Sequence, residues 1–273
     1  MKITAHIPVQ TYGFIEIEGE PSEKAEIERL YNEYAEKPVK FKNKEGYVLL
    51  TSFTGEQVYW NEEKHDCRSL AGVSLRGGSG YSKQFGKPFD AEMILAASSK
   101  AWGVPAEDIQ KIWNANRDMS GDFGTVLHTA LETAHMYWDI GEKIKDNKKW
   151  KTGETPENYS LPKQPVLRKA VLSYIKAYGI KGKPEVLVTD VKNGMCGWID
   201  SLHIIDEDKK ICDLEDYKTS VMDKAKAIQY NHQQSYYGKI LENFGWTVRN
   251  ILLRDYDGEK WNSETQKMLE VKL

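Results

Sequence analysis

The chain has 273 residues, 38 Lys/Arg against 41 Asp/Glu for a formal net charge of −3, 40% hydrophobic and 29% charged residues. That length suits one large domain or one domain with a small appendage, and the composition is that of a soluble globular chain rather than a disordered or collagen-like one. No apolar run approaches the roughly 20 residues of a membrane span, Met1–Pro8 has no apolar signal stretch, and three cysteines make neither a disulfide framework nor a four-cysteine zinc or iron–sulfur site. A reducing cytoplasm is therefore the expected setting.

In chain order, Ile3, Ala5 and Ile7 alternate as in a strand, and Gly13–Glu18 continues as a second one. Ile27, Leu30, Tyr31 and Tyr34 recur at helical spacing. Tyr47–Phe53 and Val58–Asn61 read as strands, and Gly77-Gly78-Ser79-Gly80 reads as a break. Three helices are predicted at about Asp90–Trp102, Ala106–Asn116 and Asp122–Trp138, then a long loop over Lys145–Pro165 and a helix over Leu167–Tyr178. Three strands follow, at Glu185–Val191, Met195–Ile205 and Lys210–Lys218. A long helix over Lys224–Phe244, a strand over Trp246–Arg254 and a last strand over Met268–Leu273 complete an α/β pattern.

The charge is unevenly spread. Between Lys143 and Lys183 eleven Lys/Arg face three acids, a balance of +8. The segment, with Lys148, Lys149 and Lys151 at its centre, is either a track for an anionic polymer such as nucleic acid or a solvated lysine-rich loop.

Four short patterns carry chemistry. In Asp216-Tyr217-Lys218 the acid and the lysine fall on one face of a strand, an arrangement that suits a divalent cation and a positioned water. Asp208-Lys209-Lys210 has a similar composition and reads as a solvated turn. In Gly197-Trp198-Ile199-Asp200 an acid interrupts an apolar strand, where a carboxylate is costly unless bonded or metal-bound. A turn at about Asp206–Lys209 would fold this strand back and bring Asp200 near Asp216. His128 and Glu132 lie four apart on one helix face, with His135 near the same stripe. Gln233 and Tyr237 also share a helix face, able to meet a phosphate or simply to pack.

Taken in order, Gly124…His128…Glu132, Gly197…Asp200, Asp216-Tyr217-Lys218-Thr219 and Gln233…Tyr237 resemble the PD-(D/E)XK nuclease superfamily. The likeness is to its RecB-like branch, which includes phage exonucleases and the mitochondrial genome-maintenance exonuclease. It spans about residues 58–273, leaving 1–57 as a small α+β accessory extension of unknown role. The resemblance implies a restriction-endonuclease-like α/β core, with a mixed central sheet flanked by helices. It implies a metal-dependent DNA exonuclease, phage-encoded and acting in recombination, repair or replication in the host cytoplasm. The alternatives are a structure-specific endonuclease of the same fold and a catalytically silent DNA-binding recombination module. The implied cofactor is Mg²⁺ or Mn²⁺, with no iron–sulfur cluster. The implied partners are DNA and a single-strand-binding or recombination protein, with no membrane and no statement of oligomeric state. By the same resemblance His128, Asp200 and Asp216 bind the metal, Lys218 acts on the water, and Glu132 supports catalysis. Gln233, Tyr237, Lys148, Lys149 and Lys151 are expected to touch DNA, and Glu185 matches an acid that often precedes the Gly-x-x-Asp strand.

Overall fold

A computed structural model describes residues 3–9, 13–19, 46–86, 90–145, 161–219 and 222–272. The elements are β1 (Ile3–Val9), β2 (Gly13–Gly19), β3 (Val48–Thr51), β4 (Gln57–Asn61), β5 (Asp66–Ser69), β6 (Arg76–Gly77) and a one-turn helix α1 (Gly78–Ser82). Then come α2 (Ala91–Trp102), α3 (Ala106–Lys145), α4 (Pro165–Tyr178), β7 (Lys183–Asp190), β8 (Met195–Asp206) and β9 (Ile211–Lys218). The chain closes with α5 (Lys224–Asn243), β10 (Thr247–Tyr256) and β11 (Trp261–Gln266). The architecture is mixed α/β, a mixed sheet flanked by helices, as expected.

The central sheet runs β11-β10-β9-β8. β9 and β10 are parallel, and β8 is antiparallel to both β9 and β7. Ser201 and Leu202 pair with both β7 and β9, so those strands lie on opposite edges of β8. Met195 and Cys196 pair with both β7 and β6, so β6 must share β9's edge. Between them that edge of β8, Gly197–Asp200, has no ladder partner among the described residues. This opening positions the candidate site.

Helices cover both faces because the strands are apolar on both. Tyr236, Tyr237, Ile240 and Leu241 of α5 bury against Met195, Ile199, Leu202, Cys212 and Leu214. On the other face Leu127 and Leu131 of α3 and Ala170, Val171 and Tyr174 of α4 join Tyr217, Tyr256 and Trp261. A third cluster joins Val58, Trp60 and Cys67 of the β3-β4-β5 sheet to Leu187 and Cys196. Polar bonds reinforce that junction: Phe53 N–H donates to Leu187 O, and Glu56 accepts from Thr189 Oγ1 and the Val191 N–H. Residues 46–56, placed by sequence in the accessory extension, thus hydrogen-bond to the central sheet and pair with β4. β1 and β2, both expected as strands, pair antiparallel, whereas the helix read over Ile27–Tyr34 lies outside the described residues.

Three expectations are corrected. The helices predicted on either side of residues 117–121 are one 40-residue helix, because that stretch contains no proline and a glycine lowers helix propensity without stopping the ladder. The Gly77–Gly80 break is instead the end of β6 and the start of α1. There Gly78 is required, since a Cβ would stand 2.3 Å from the Tyr237 ring. The last strand among the described residues is β11, and residues 268–272 of the expected Met268–Leu273 strand are not in a strand. β11 is a mostly polar edge strand joined to β10 by a turn at Asp257-Gly258, and a polar edge carries no apolar signature.

Candidate active site

The β8–β9 hairpin fixes the first pair of acids. Ser201 lies opposite Glu215, which makes Asp200 and Asp216 the next positions as the strands part. Where a ladder bond would continue, the Tyr217 N–H donates to Asp200 Oδ2 at 2.7 Å. On the other edge Glu185 is the register neighbour of Asp200 and has φ 45°, in the left-handed region. That conformation costs a non-glycine residue about 1–2 kcal/mol, and such cost concentrates at functional sites. The pleat also slips there: Ile199 and Leu202, three apart, both enter the core beneath α5, which strict alternation forbids.

The consequence is convergence. His128 of α3, Glu185 of β7 and Asp200 of β8 place ligand-capable atoms within 4.8 Å of one another. His128 Nδ1 is 3.6 Å from Asp200 Oδ2, and its Nε2 is 3.0 Å from Tyr217 O. Gly124, one turn earlier, lets α3 approach the end of β9, since a Cβ there would meet Thr219 Oγ1 at 3.1 Å. Glu185 is pushed up to about 8 by burial first, then by the charges of Asp200, Glu132, Glu62 and Asp216. Two carboxylates and an imidazole suit a hard or borderline divalent cation, whose charge would relieve this repulsion.

Asp216 is buried beside this trio and belongs to a second group. Lys218 Nζ lies 2.7 Å from both of its oxygens and donates to Oδ1, which also accepts from Gln234 Nε2 at 2.8 Å. Oδ2 is buried against the same ammonium, and Asp216, expected as a metal ligand, stands outside the group of three whose ligand atoms converge. Burial pushes Asp216 up to about 6 against the opposing pull of Lys218. Burial alone would lower Lys218, but the charges of Asp216 and Asp200 outweigh it and hold the ammonium form. The ammonium also sits 4.7 Å over the Tyr230 ring.

A groove of about 530 Å³ opens beside the trio, between Gly124–Glu132 of α3 and Trp60, Glu62 and His65, with Glu185 and Trp198 also lining it. Trp60 meets Trp198 edge-on at 5.5 Å.

The remaining expected residues distribute as follows. Glu132 lines the groove and acts electrostatically on Glu185. Gln233 Nε2 donates to Tyr237 OH and to Ser79 Oγ, and Tyr237 itself is 4% exposed. Its ring lies so close to Gly197 that a Cβ there would stand 2.0 Å away, so Tyr237 is chiefly a packing piece that supports the Gly197–Asp200 strand. His135 is spent on the carbonyls of Leu131 and Lys181 and takes no part. Lys209 pairs with Asp206 on the exposed hairpin turn, the solvated role expected of that run. Lys148, Lys149 and Lys151 lie outside the described residues. Sequence reasoning missed Gln234, adjacent to the residue it singled out, and Tyr217, whose main chain contacts both His128 and Asp200. A main-chain role leaves no signal in residue type, whereas the helical spacing of Gln234 from Tyr230 and Ala227 on the inner face of α5 could have raised it.

No protein-family model, curated protein or solved structure matches this chain.

Proposed function

We propose that this chain is a divalent-metal-dependent deoxyribonuclease of the PD-(D/E)XK type, acting as an exonuclease on a restriction-endonuclease-like core. The observation that carries the reading is the convergence of His128, Glu185 and Asp200 within 4.8 Å, beside the buried Asp216–Lys218 pair, at the point where β8 and β9 part. His128, Glu185 and Asp200 would hold a Mg²⁺ or Mn²⁺ ion, with the Asp216 carboxylate beside them holding Lys218. A bound cation supplies Lewis-acid polarisation of a phosphoryl oxygen and acidifies water. Lys218, kept cationic by Asp216, donates hydrogen bonds to the attacking water or to the charge that gathers on phosphorus-bound oxygen. As an ammonium it is not a general base. Gln234 holds the carboxylate of Asp216 in register, and Tyr237 holds Gly197 and the strand that leads to Asp200.

Attraction to phosphate must come from elsewhere, because Glu62, Glu132 and Asp200 surround the site with carboxylates, and burial and their charges already hold the proton on Glu185. The +8 stretch from Lys143 to Lys183 supplies that charge. No helix among the described residues is long and apolar enough to cross a membrane. The test is digestion of end-labelled linear DNA, single- and double-stranded, and of closed circles, with Mg²⁺, Mn²⁺ or chelator. Cation-dependent loss of linear substrates with circles spared is the expected result. Nicking of circles would convert the reading to an endonuclease, and tight binding with no cleavage in either cation would leave only a DNA-binding module.

A further inference from the structure

We infer that the main chain of Tyr217 fixes the tautomer of His128 and makes Nδ1, not Nε2, the nitrogen that binds a divalent cation beside Asp200 and Glu185; this rests on the metal centre of the reading above. Nε2 of His128 lies 3.0 Å from the carbonyl oxygen of Tyr217. A carbonyl can only accept, so the proton of the neutral ring belongs on Nε2 and the lone pair on Nδ1. Nδ1 then faces Asp200 Oδ2 at 3.6 Å, too far for a hydrogen bond and with no proton between them. Two acceptors pointed at each other repel unless a cation joins them. The same residue orients the carboxylate, because the Tyr217 N–H donates to Asp200 Oδ2 at 2.7 Å. One residue of β9 therefore aims a nitrogen ligand from α3 and an oxygen ligand from β8 at the same point.

Tyr217 is held for this purpose by its side chain. Its hydroxyl lies 3.2 Å from Tyr174 OH and donates toward Glu215 Oε2 at 3.4 Å. Its ring meets His128 edge-on at 5.8 Å and Tyr174 at 5.4 Å. Glu215, fully buried, is bound in turn by Arg254 Nε, Tyr174 OH and His203 Nε2, each at 2.8 Å. The proposed hydrolysis does not use this buried cluster, and anchoring Tyr217 gives it a role. Tyr217 is a positioning residue and Glu215 its anchor. Partners of this kind around a metal ligand typically govern its affinity by about 10- to 100-fold.

The test is nitrogen NMR of protein labelled with ¹⁵N-histidine, with the His128 signals assigned against His128→Asn. Without metal, His128 is expected as the Nε2-protonated tautomer. Adding diamagnetic Mg²⁺ or Cd²⁺ is expected to move the Nδ1 resonance and leave Nε2 protonated. Calorimetric Mn²⁺ affinity is expected to fall about tenfold in Tyr217→Phe, which keeps the ring and removes its hydroxyl bonds, with a mixed His128 tautomer. Glu215→Gln is expected to do the same. An Nδ1-protonated or doubly protonated ring, a metal shift at Nε2, or no response of His128 to metal would overturn the assignment. Unchanged tautomer and affinity in both folded variants would overturn the anchoring. DNA is absent from these readouts: cation bound through Nδ1 without any cleavage keeps this inference and sinks the nuclease reading, and cleavage with metal on Nε2 does the reverse.

Discussion

Asp216 is 1% exposed and shares its charge with Lys218, whose side chain is 18% exposed. Asp216→Asn therefore leaves a mostly buried ammonium without its nearest counter-charge, at an expected cost of about 3 kcal/mol in urea unfolding, and on the proposed reading should abolish cleavage. The double variant Asp216→Asn/Lys218→Met should regain most of that stability and none of the activity. Recovery of activity would show that neither group takes part in the reaction. Glu185 gives a pH signature. Its carboxyl is raised from an ordinary 4.5 to about 8, first by burial and then by the charges around it. The folded protein thus keeps a proton there that the unfolded chain releases. The stability tied to that proton is complete below about pH 4.5 and is lost as pH rises through about 8. The metal-free thermal midpoint should fall between pH 5 and 8 more steeply in wild type than in Glu185→Gln, and saturating Mn²⁺ should flatten the wild-type curve by replacing the proton. Equal slopes in metal-free protein would contradict this. At this scale Asp200, His128 and Lys218 were legible because residue type and spacing carry them. The strained φ of Glu185 and the main-chain bonds of Tyr217 depend on where β8 slips its pleat, which no local pattern encodes.

The elements that carry the site were legible as far as periodicity reaches. The β7, β8 and β9 runs and α5 emerge near their expected places because apolar strands announce themselves and α5 is a long proline-free run behind an Asp223 N-cap. The continuity of α3 did not, since two helices were expected on either side of residues 117–121 and the chain carries through them as helix. Nor did the shared edge of β6 and β9 along β8, a long-range pairing that opens the gap at Gly197–Asp200. That gap depends on the close approach of α5. A Cβ on Gly197 would stand 2.0 Å and 2.3 Å from two ring atoms of Tyr237. Gly197→Ala should therefore cost about 1–3 kcal/mol in denaturant unfolding and displace Asp200 enough to lower cleavage. The compensating Gly197→Ala/Tyr237→Leu variant should recover part of both. A Gly197→Ala protein of unchanged stability would show that the strand yields freely and that Tyr237 does not position it.

Across the whole molecule the charges nearly cancel, 38 cations against 41 acids, while the stretch from Lys143 to Lys183 stands at +8. On the proposed reading the basic stretch governs affinity for DNA and the bound cation governs chemistry. Changing Lys148, Lys149 and Lys151 together to Gln should flatten the log–log dependence of DNA affinity on salt by up to about 2.7, at roughly 0.9 per phosphate contact on duplex. Turnover at saturating DNA should hold. An unchanged slope would place the DNA path elsewhere. The measurement that bears most directly on the central claim is hydrolysis of linear DNA by wild type and by Asp200→Asn and Glu185→Gln, each verified as folded, across a titration of Mg²⁺ and Mn²⁺ and in chelator. The account predicts cleavage by wild type in either cation, none in chelator, a loss of at least a hundredfold in Asp200→Asn, and a Glu185→Gln protein that needs markedly more metal. Cleavage that persists in chelator, or that Asp200→Asn performs at the wild-type rate, would contradict it.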